Sequence, residues 1–233
     1  MRVVPNLYPA LPLQEVVIHS PKHVWSLAEF SNFPATWGQL AYVADAWKNR
    51  AEAARAAGLK YLYAFINEGR AAGASLSHSH SQLAGLDELP SEVAAEISPG
   101  GDCRLCPIVK DERKEGTRII AEAHGPVTAL CPGASRVPYE VLIAPVHHEV
   151  DGFQSPRLES GLALLAECVK RLHAVEGRVP LNAWLHTSSL GGSELHWHIH
   201  LVPRLTALAG IELGAGIYVN VLPPEVAAER LRR

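Results

Sequence analysis

The chain has 233 residues, of which 48% are hydrophobic and 19% are charged, a composition typical of a globular protein. Its formal net charge of −3 argues against a general nucleic-acid surface, and no apolar run approaches the roughly 20 residues that span a bilayer. Because the N-terminus also lacks a signal-peptide pattern, we expect a cytoplasmic protein, without a membrane partner, whose cysteines are thiols or metal ligands rather than disulfides.

The first half of the chain predicts a strand, a long helix and a second strand. Residues 15–19 form the first predicted strand. Residues 37–57 place apolar side chains at helical spacing, and Gly58 is well placed to end that helix. Residues 61–67 combine aromatic and β-branched side chains, which favours a buried strand, and a histidine-rich segment at residues 77–82 follows.

The second half repeats this order of elements after a linker at residues 90–101. We therefore predict an α+β fold of two tandem halves, residues 1–97 and 98–233, each an antiparallel sheet packed with helices. In the second half the predicted strands are residues 118–122, 127–130, 139–144, 181–186 and 195–202, the predicted helix is residues 158–172, and a hairpin turn is predicted at residues 124–126.

Two segments, residues 77–82 and 196–200, carry histidines at alternate positions. Residues two apart on a strand point to the same face, so each segment directs two or three nitrogen-bearing side chains into one small volume. Imidazole suits nucleophilic attack on phosphorus, proton transfer and the binding of divalent metals. Two such segments, one in each half, predict a duplicated fold that handles phosphate or metal.

A Cys-x-x-Cys pair at Cys103 and Cys106 has the spacing that lets both thiolates reach one tetrahedral ion. The same half offers His148 and His196 as further ligands, with His147 as the second choice for the His148 role. We favour a structural zinc site of the Cys2His2 type over a pair of inert thiols. Such a site would tie the start of the second half to its end.

The histidine segment of the first half, with the residues before it, resembles the active-site segment of galactose-1-phosphate uridylyltransferases. That family belongs to the histidine-triad superfamily, and its pattern is Asn, then Gly-x-Ser, then His-Pro-His-x-Gln. The matching residues are Asn67, Gly73 to Ser75, and residues 78–82, and further similarity is found at residues 3–11, 196–205 and 210–232. The resemblance covers nearly the whole chain and implies that both halves have histidine-triad-like folds.

The resemblance implies that a nucleoside monophosphate, UMP first of all, moves between sugar 1-phosphates through a covalent nucleotidyl-histidine. His80 matches the nucleophile, and Gln82 matches the amide that hydrogen-bonds the phosphoryl oxygens. The implied partners are therefore a nucleotide sugar and a sugar phosphate, and the family also implies a homodimer. The implied substrate-binding residues are Asn6, Asn67, Gly73, Ser75 and Gln82.

The resemblance also implies metal sites. His23 and His78 match the histidines of a first-half site, whose Cys-x-x-Cys lies in the family upstream of the strand at which this chain starts. Either the true start lies further upstream or this half has no structural metal. A second site, which would hold zinc or iron in some family members, matches Glu96, His186, His198 and His200.

Two departures from the family pattern bear on specificity. Ser79 replaces the usual proline between the two histidines, which frees the backbone beside the nucleophile. The positions that contact the hexose in well-known members fall near Ala215 and Gly216, neither of which offers a polar side chain. The resemblance therefore implies nucleotidyl transfer without implying specificity for galactose.

Three alternatives remain open at the level of sequence. One is a nucleotide-sugar or dinucleotide phosphorylase with the same covalent intermediate, in which inorganic phosphate is the acceptor. Another is an inactive paralogue that binds zinc and nucleotide, although the joint presence of Asn67, Ser75, His78, His80 and Gln82 speaks against it. The third places the nucleophile at His198, the middle histidine of the second segment, as in simple histidine-triad hydrolases.

Overall fold

The computed structural model describes residues 1–31, 37–98, 100–123, 126–193 and 195–233, and only the backbone of Trp37. In this part of the chain nine strands form one antiparallel sheet, in the order β1-β2-β4-β3-β8-β9-β7-β6-β5. The strands are β1 (Arg2–Pro5), β2 (Leu13–Ile18), β3 (Tyr61–Glu68), β4 (His80–Leu86), β5 (Ile119–Ala123), β6 (Val127–Leu130), β7 (Val141–Pro145), β8 (Leu181–His186) and β9 (His198–Pro203).

The helices differ in length and in position relative to the sheet. Those of the described residues are α1 (Trp37–Ala56), α2 (Ser91–Glu96), α3 (Leu105–Glu115), α4 (Leu158–Glu176), α5 (Gly210–Ala215) and α6 (Pro224–Arg232), and two short 3₁₀ helices are Leu27–Ser31 and Arg70–Ala72. Among the described residues no helix is both long enough and apolar enough to cross a membrane.

The two long helices pack on one face of the sheet, as their apolar spacing predicts. In α1 the residues Leu40, Val43, Trp47 and Ala51 recur every three or four positions and are buried, and α4 buries its own apolar stripe in the same core. The indole Nε1 of Trp47 donates to the hydroxyl of Ser81 at 2.9 Å. This hydrogen bond holds β4 from its helix-facing side, opposite to the side chains of its alternate residues.

The two halves share one sheet because β3 pairs with β8. Phe65 lies opposite Trp184, and Asn67 lies opposite Asn182. The predicted α+β architecture of antiparallel strands packed with helices is confirmed, and the strands of the two halves are continuous across this pairing. The division into domains at residues 97 and 98 stays a prediction.

Several predicted elements begin or end elsewhere in the structure. The predicted strand 195–202 starts only at His198, because the backbone of Trp197 hydrogen-bonds the carbonyl of Glu149 in a loop instead of a neighbouring strand. The predicted linker 90–101 contains the short helix α2. The hairpin strands β5 and β6 are present, but His124 and Gly125 of the predicted turn lie outside the described residues.

The face of the sheet away from α1 and α4 carries the polar side chains that the sequence singled out. Residues opposite each other on neighbouring strands share a face, so the register traces rows across the sheet. One row runs from Gln82 on β4 through Phe65 and Trp184 to His200 on β9. Both histidine segments therefore open onto the same side of the molecule, which we call the open face.

Candidate active site and metal clusters

His80 begins strand β4 and directs its ring onto the open face. Its Nδ1 lies 2.7 Å from the backbone carbonyl of His78, two residues earlier. A carbonyl oxygen only accepts, so Nδ1 carries the ring proton and Nε2 of the neutral ring keeps its lone pair. No hydrogen bond to His80 Nε2 occurs within the described ranges. The local backbone thus fixes the tautomer that a nucleophile at Nε2 requires.

A cavity adjoins His80 and extends towards the first strands. Arg2, Ile18 and Leu76 line it together with His78 and His80. Ile18 lies directly opposite His80 in the β2–β4 register, and Arg2 lies opposite Ile18 on β1. Arg2 brings a positive charge to a cavity whose other lining residues are apolar, apart from the hydroxyl of Ser20 and the two imidazoles. Such a lining suits a group that has both an apolar body and anionic oxygens.

Three other implied substrate residues, Gln82, Asn67 and Gly73, lie on β4, on β3 and in the loop between these strands. Gln82 shares the open face with His80. The β3–β4 pairing ends at Phe65 and Gln82, and Asn67 lies two residues beyond Phe65, towards the end at which β4 begins with His80. Gly73 adopts φ +86°, and a Cβ there would lie 3.6 Å from Asn67 Nδ2. That distance is an ordinary van der Waals contact, so it is the positive φ that favours glycine at this position.

Asn6 and Ser75 belong to loops at the edge of the site. The side-chain oxygen of Asn6 accepts a hydrogen bond from the backbone of Tyr8 at 3.0 Å and so stabilises the turn between β1 and β2. Ser75 is exposed in the segment that leads into β4. The structure therefore places His80, Gln82 and Asn67 on adjoining strands, with Asn6 and Ser75 supplied by the flanking loops.

Ser79, which stands where the family has proline, is held by all of its polar atoms. Its hydroxyl lies 2.9 Å from Nδ1 of His19, its amide donates to the carbonyl of Val24, and its carbonyl accepts from the amide of His19. Both side chains are buried. Burial, together with the positive charge of nearby histidines, lowers the pKa of His19 to about 3. A neutral His19 thus supports the loop before the nucleophile.

Because the pKa of the buried His19 is lowered, we expect the folded protein to lose stability in mild acid. Below pH 6.5 the unfolded chain protonates this histidine, whereas the folded protein excludes the proton down to a pKa of about 3, so stability falls as the pH falls through this window. We expect His19 to account for about 2 kcal/mol of the difference in unfolding free energy between pH 8 and pH 5. Urea unfolding at both pH values should show a correspondingly smaller difference for His19→Asn.

The exposed His147 supplies the control for this measurement. His147→Asn removes an imidazole without removing a buried one, and its pH dependence should match that of the unmodified protein. An unchanged pH dependence in His19→Asn would contradict the assignment, because every other titrating group is common to both proteins.

The four residues Cys103, Cys106, His148 and His196 converge at the start of α3, with their ligand atoms within 4.8 Å of one another. The sulfur of Cys106 lies 3.5 Å from His148 Nδ1 and 3.6 Å from His196 Nδ1, and the sulfur of Cys103 lies 3.7 Å from His196 Nδ1. It is His148, the first choice made from the sequence, that meets the cysteines. This cluster could hold a metal ion.

The electrostatics of the Cys/His cluster also suit a cation. Burial and the nearby His148 lower the pKa of His196 to about 4, so its imidazole is neutral, the form that ligates metal. Burial and the neighbouring Cys103 raise the pKa of the Cys106 thiol to about 11. The buried Nε2 of His196 has no hydrogen-bond partner among the described residues. Binding of a cation would therefore release thiol protons.

A second cluster joins Glu96, at the end of α2, to His186, His198 and His200. Glu96 lies 2.9 Å from His186 Nδ1 and 3.2 Å from His198 Nε2, and the Nε2 atoms of His198 and His200 are 3.0 Å apart. Burial acts to raise the pKa of Glu96, but its contacts with His186 and His198 lower it well below its ordinary value.

In this second cluster the position of the ring proton on His198 directs a lone pair into the cluster. Nδ1 of His198 lies 2.9 Å from the carbonyl of His196 and carries the proton, so its Nε2 presents a lone pair to Glu96 and His200. Oxygen Oε2 of Glu96 is buried without a hydrogen-bond partner in the described part of the chain. A carboxylate and imidazole lone pairs aimed at one point are a donor set that could bind a metal cation.

His80 and His198 have equivalent backbone settings but different surroundings. In both residues Nδ1 meets the carbonyl two positions earlier, at 2.7 and 2.9 Å. Both histidines line a cavity, but the Nε2 of His198 lies near Glu96 and His200, whereas no described hydrogen-bonding group contacts that of His80. The lone pair of His80 is therefore the less engaged of the two.

His23 and His78 form a histidine pair with nearly the same geometry as His148 and His196. The ring centroids lie 5.1 Å apart at an interplanar angle of 67° in the first pair and 5.0 Å apart at 63° in the second. The Nδ1 atoms of His23 and His78 are 3.1 Å apart. The first half thus places two imidazoles where the second half places the imidazoles of its Cys/His cluster.

The sequence motifs did not point to Asn182 or Arg136. Asn182 contacts Asn67 across the β3–β8 pairing, and Arg136 lies over the ring of Trp184 at 5.7 Å while its guanidinium pairs with Glu140. The alternation of Asn182, Trp184 and His186 along β8 is the signal that could have found the former, since these residues share the open face.

The chain resembles known proteins in sequence over its full length. A sequence profile described as galactose-1-phosphate uridyl transferase, N-terminal domain, matches residues 13–90. An ADP-glucose phosphorylase of Arabidopsis thaliana is 30% identical over an alignment of 273 residues, gaps included, which covers 100% of this chain and 74% of that protein. A galactose-1-phosphate uridylyltransferase of Thermotoga maritima is 25% identical over 75% of this chain, and the match spans 60% of that relative.

Solved structures show the same similarity. A crystal structure of the ADP-glucose phosphorylase from Arabidopsis thaliana with bound ADP-glucose superposes with a TM-score of 0.84 at 27% identity, covering 100% of this chain and 81% of that one. A uridylyltransferase structure gives a TM-score of 0.85 at 27% identity, covering 99% of this chain and 83% of the other.

Proposed function

The chain belongs to the galactose-1-phosphate uridylyltransferase family, and on that premise we propose that it transfers a nucleoside monophosphate from a nucleotide sugar through a covalent intermediate on His80. The observation that carries the proposal is the contact between His80 Nδ1 and the carbonyl of His78, which leaves the Nε2 lone pair beside an open cavity. Imidazole held in this tautomer is a nucleophile that needs no separate base.

In the first proposed step, His80 Nε2 attacks the α-phosphorus of the donor. A phosphorus–nitrogen bond forms, the bond from that phosphorus to the bridging oxygen breaks, and the sugar phosphate leaves with the electron pair. The carbonyl of His78 accepts the Nδ1 hydrogen bond and stabilises the positive charge that the ring gains. In the second step an oxygen of an acceptor phosphate attacks the same phosphorus, the phosphorus–nitrogen bond breaks and neutral His80 is restored.

Neutral donors would stabilise the charge on the non-bridging oxygens during both steps. The amides of Gln82 and Asn67 lie on the strands beside His80 and present N–H groups without adding a formal charge. The nucleotide would occupy the cavity next to Ile18 and Arg2, where the guanidinium attracts its phosphate oxygens. Asn6 and Ser75 would contact the substrate from the flanking loops.

Two donor and acceptor pairs fit this mechanism. Transfer of UMP between sugar 1-phosphates is supported by the matching profile and by several relatives named galactose-1-phosphate uridylyltransferase. Phosphorolysis of an ADP-sugar, with inorganic phosphate as acceptor, is the second candidate. The relative that matches the full length of this chain at 30% identity, an ADP-glucose phosphorylase, favours the second pair.

We propose that the Cys/His cluster holds a structural zinc ion. Around a tetrahedral zinc, with Zn–S of about 2.3 Å and Zn–N of about 2.05 Å, sulfur and nitrogen atoms lie about 3.6 Å apart. Three of the four sulfur–nitrogen distances, those from Cys106 to His148 and His196 and from Cys103 to His196, are 3.5, 3.6 and 3.7 Å. The ion would link α3 to the loop before β9 and to the loop after β7, with four protein ligands and no open position for substrate.

For the second cluster we propose zinc or iron, bound by Glu96 and three histidines. Hydrogen bonds and burial hold these imidazoles in place on β8 and β9, and the buried unpartnered oxygen of Glu96 supports a cation there. The cation would neutralise the carboxylate and fix α2 against the sheet. No step of the proposed transfer passes through it.

Intact-protein mass spectrometry after brief incubation with UDP-glucose, UDP-galactose or ADP-glucose tests the proposed intermediate. The sample should stay at neutral to basic pH, because phosphoramidates are labile in acid. We expect a nucleoside monophosphate adduct, whose mass distinguishes uridylyl from adenylyl. Adding inorganic phosphate or a hexose 1-phosphate to the isolated adduct should then discharge it, and the acceptor that does so faster identifies the reaction. Absence of an adduct with every donor would contradict the proposal.

A further inference from the structure

We propose that Asn182, which lies on β8 in the second half, is a positioning residue for the transfer site of the first half. It would act by setting the direction in which the amide of Asn67 points. The inference rests on the proposed function, since it concerns the donor that Asn67 would offer to a phosphoryl group beside His80. Asn67 and Asn182 are directly opposite each other where the two halves join.

One backbone carbonyl fixes the orientation of both amides. The Nδ2 of Asn182 lies 2.8 Å from the carbonyl oxygen of Ala72 and 2.8 Å from Oδ1 of Asn67. A carbonyl oxygen accepts and never donates, so the atom of Asn182 that faces Ala72 must be the nitrogen. The second hydrogen of this NH2 group is directed to Asn67, whose facing atom must therefore be its oxygen.

The nitrogen of Asn67 is consequently left as a donor on the open face. It has no hydrogen-bond partner among the described residues, and a Cβ placed on Gly73 would lie 3.6 Å from it. If the Asn67 amide were turned by half a rotation, it would present its oxygen to the anionic phosphoryl oxygens and repel them. Asn182 prevents that rotation, because the rotated amide would set two NH2 groups against each other.

Gln82 is oriented by a similar device built from different residues. The backbone N–H of Ala10 donates to Oε1 of Gln14 at 2.8 Å, so the NH2 group of Gln14 faces the other way. That group lies 3.4 Å from Oε1 of Gln82, a longer contact, and leaves the nitrogen of Gln82 free to donate. Each of the two amides beside His80 is therefore backed by a second amide that is itself anchored to the backbone.

A double-mutant cycle separates this role from a purely structural one. Asn182→Ala should lower the rate of nucleotidyl-enzyme formation about tenfold when Asn67 is present, because the freed amide no longer holds its donor towards the phosphoryl oxygens. In the Asn67→Ala background the same substitution should change the rate less than about twofold. Rates are measured by rapid-quench mass spectrometry at saturating donor, and thermal unfolding of each variant records any loss of folded protein.

Asn182→Asp provides a second arm. Its carboxylate can only accept, so it should turn the Asn67 amide and lower the rate further than Asn182→Ala does. Equal rate losses from Asn182→Ala with and without Asn67 would overturn the positioning role, as would a loss below twofold with Asn67 present. The unmodified protein distinguishes the two proposals: if it forms no adduct, the proposed function itself fails, whereas an adduct with no coupling between Asn67 and Asn182 refutes only this inference.

Discussion

Replacing His80 with alanine should abolish nucleotidyl transfer, by at least about 10⁴-fold, and should leave no nucleotide attached to the protein. The size of the effect follows from the proposed covalent step, because a methyl group offers no lone pair to phosphorus. The remaining donors could still bind the nucleotide, so its affinity should change far less than the rate. Steady-state turnover, intact mass after incubation with donor, and equilibrium nucleotide binding measure these three quantities.

The fold of His80→Ala should stay intact, because removal of the imidazole ring does not affect the backbone pairing of β4 with β2 and β3. His147→Ala, at an exposed histidine outside both clusters, is the matched control and should retain full activity and the adduct. Peptide mapping of the adduct on the unmodified protein then tests the assignment directly. An adduct found on His198, or one that persists in His80→Ala, would show that the second histidine segment carries the chemistry.

Replacing Cys103 with serine should remove the metal from the Cys/His cluster and destabilise the fold by at least about 3 kcal/mol. Zinc binding to such a cluster is coupled to folding, so losing one thiolate forfeits part of the binding free energy. For a chain of this length, the midpoint of thermal unfolding should fall by roughly 6 to 12 °C. Metal content is measured by elemental mass spectrometry on the purified, dialysed protein.

Cys168→Ala supplies the comparison that separates metal loss from a cavity. Cys168 is fully buried within α4 and is not a member of the Cys/His cluster, so its substitution should lower stability while leaving the metal content unchanged. If Cys103→Ser kept both full metal content and full stability, the structural site would be refuted. A chelator should likewise lower the unfolding midpoint of the unmodified protein more than that of Cys103→Ser.

Local spacing explains why much of the molecule could be predicted. The helical periodicity of Leu40, Val43 and Trp47 predicts α1, and the structure buries all three side chains. The alternation of histidines in residues 196–200 predicts side chains on one face, and His198 and His200 do lie together on β9. Such patterns reach only a few residues along the chain, which is why they locate elements better than they locate contacts between elements.

The sequence by itself determined where the candidate residues lie: the His80 segment, the Cys-x-x-Cys pair and the second histidine segment. Only the tertiary structure decided how they are arranged. Residues 90 positions apart, Glu96 and His186, meet because α2 folds over the sheet, and Asn182 reaches Asn67 because β8 pairs with β3. Amide orientation and histidine tautomers depend on the atoms that surround them in space, and no periodicity along the chain encodes those partners.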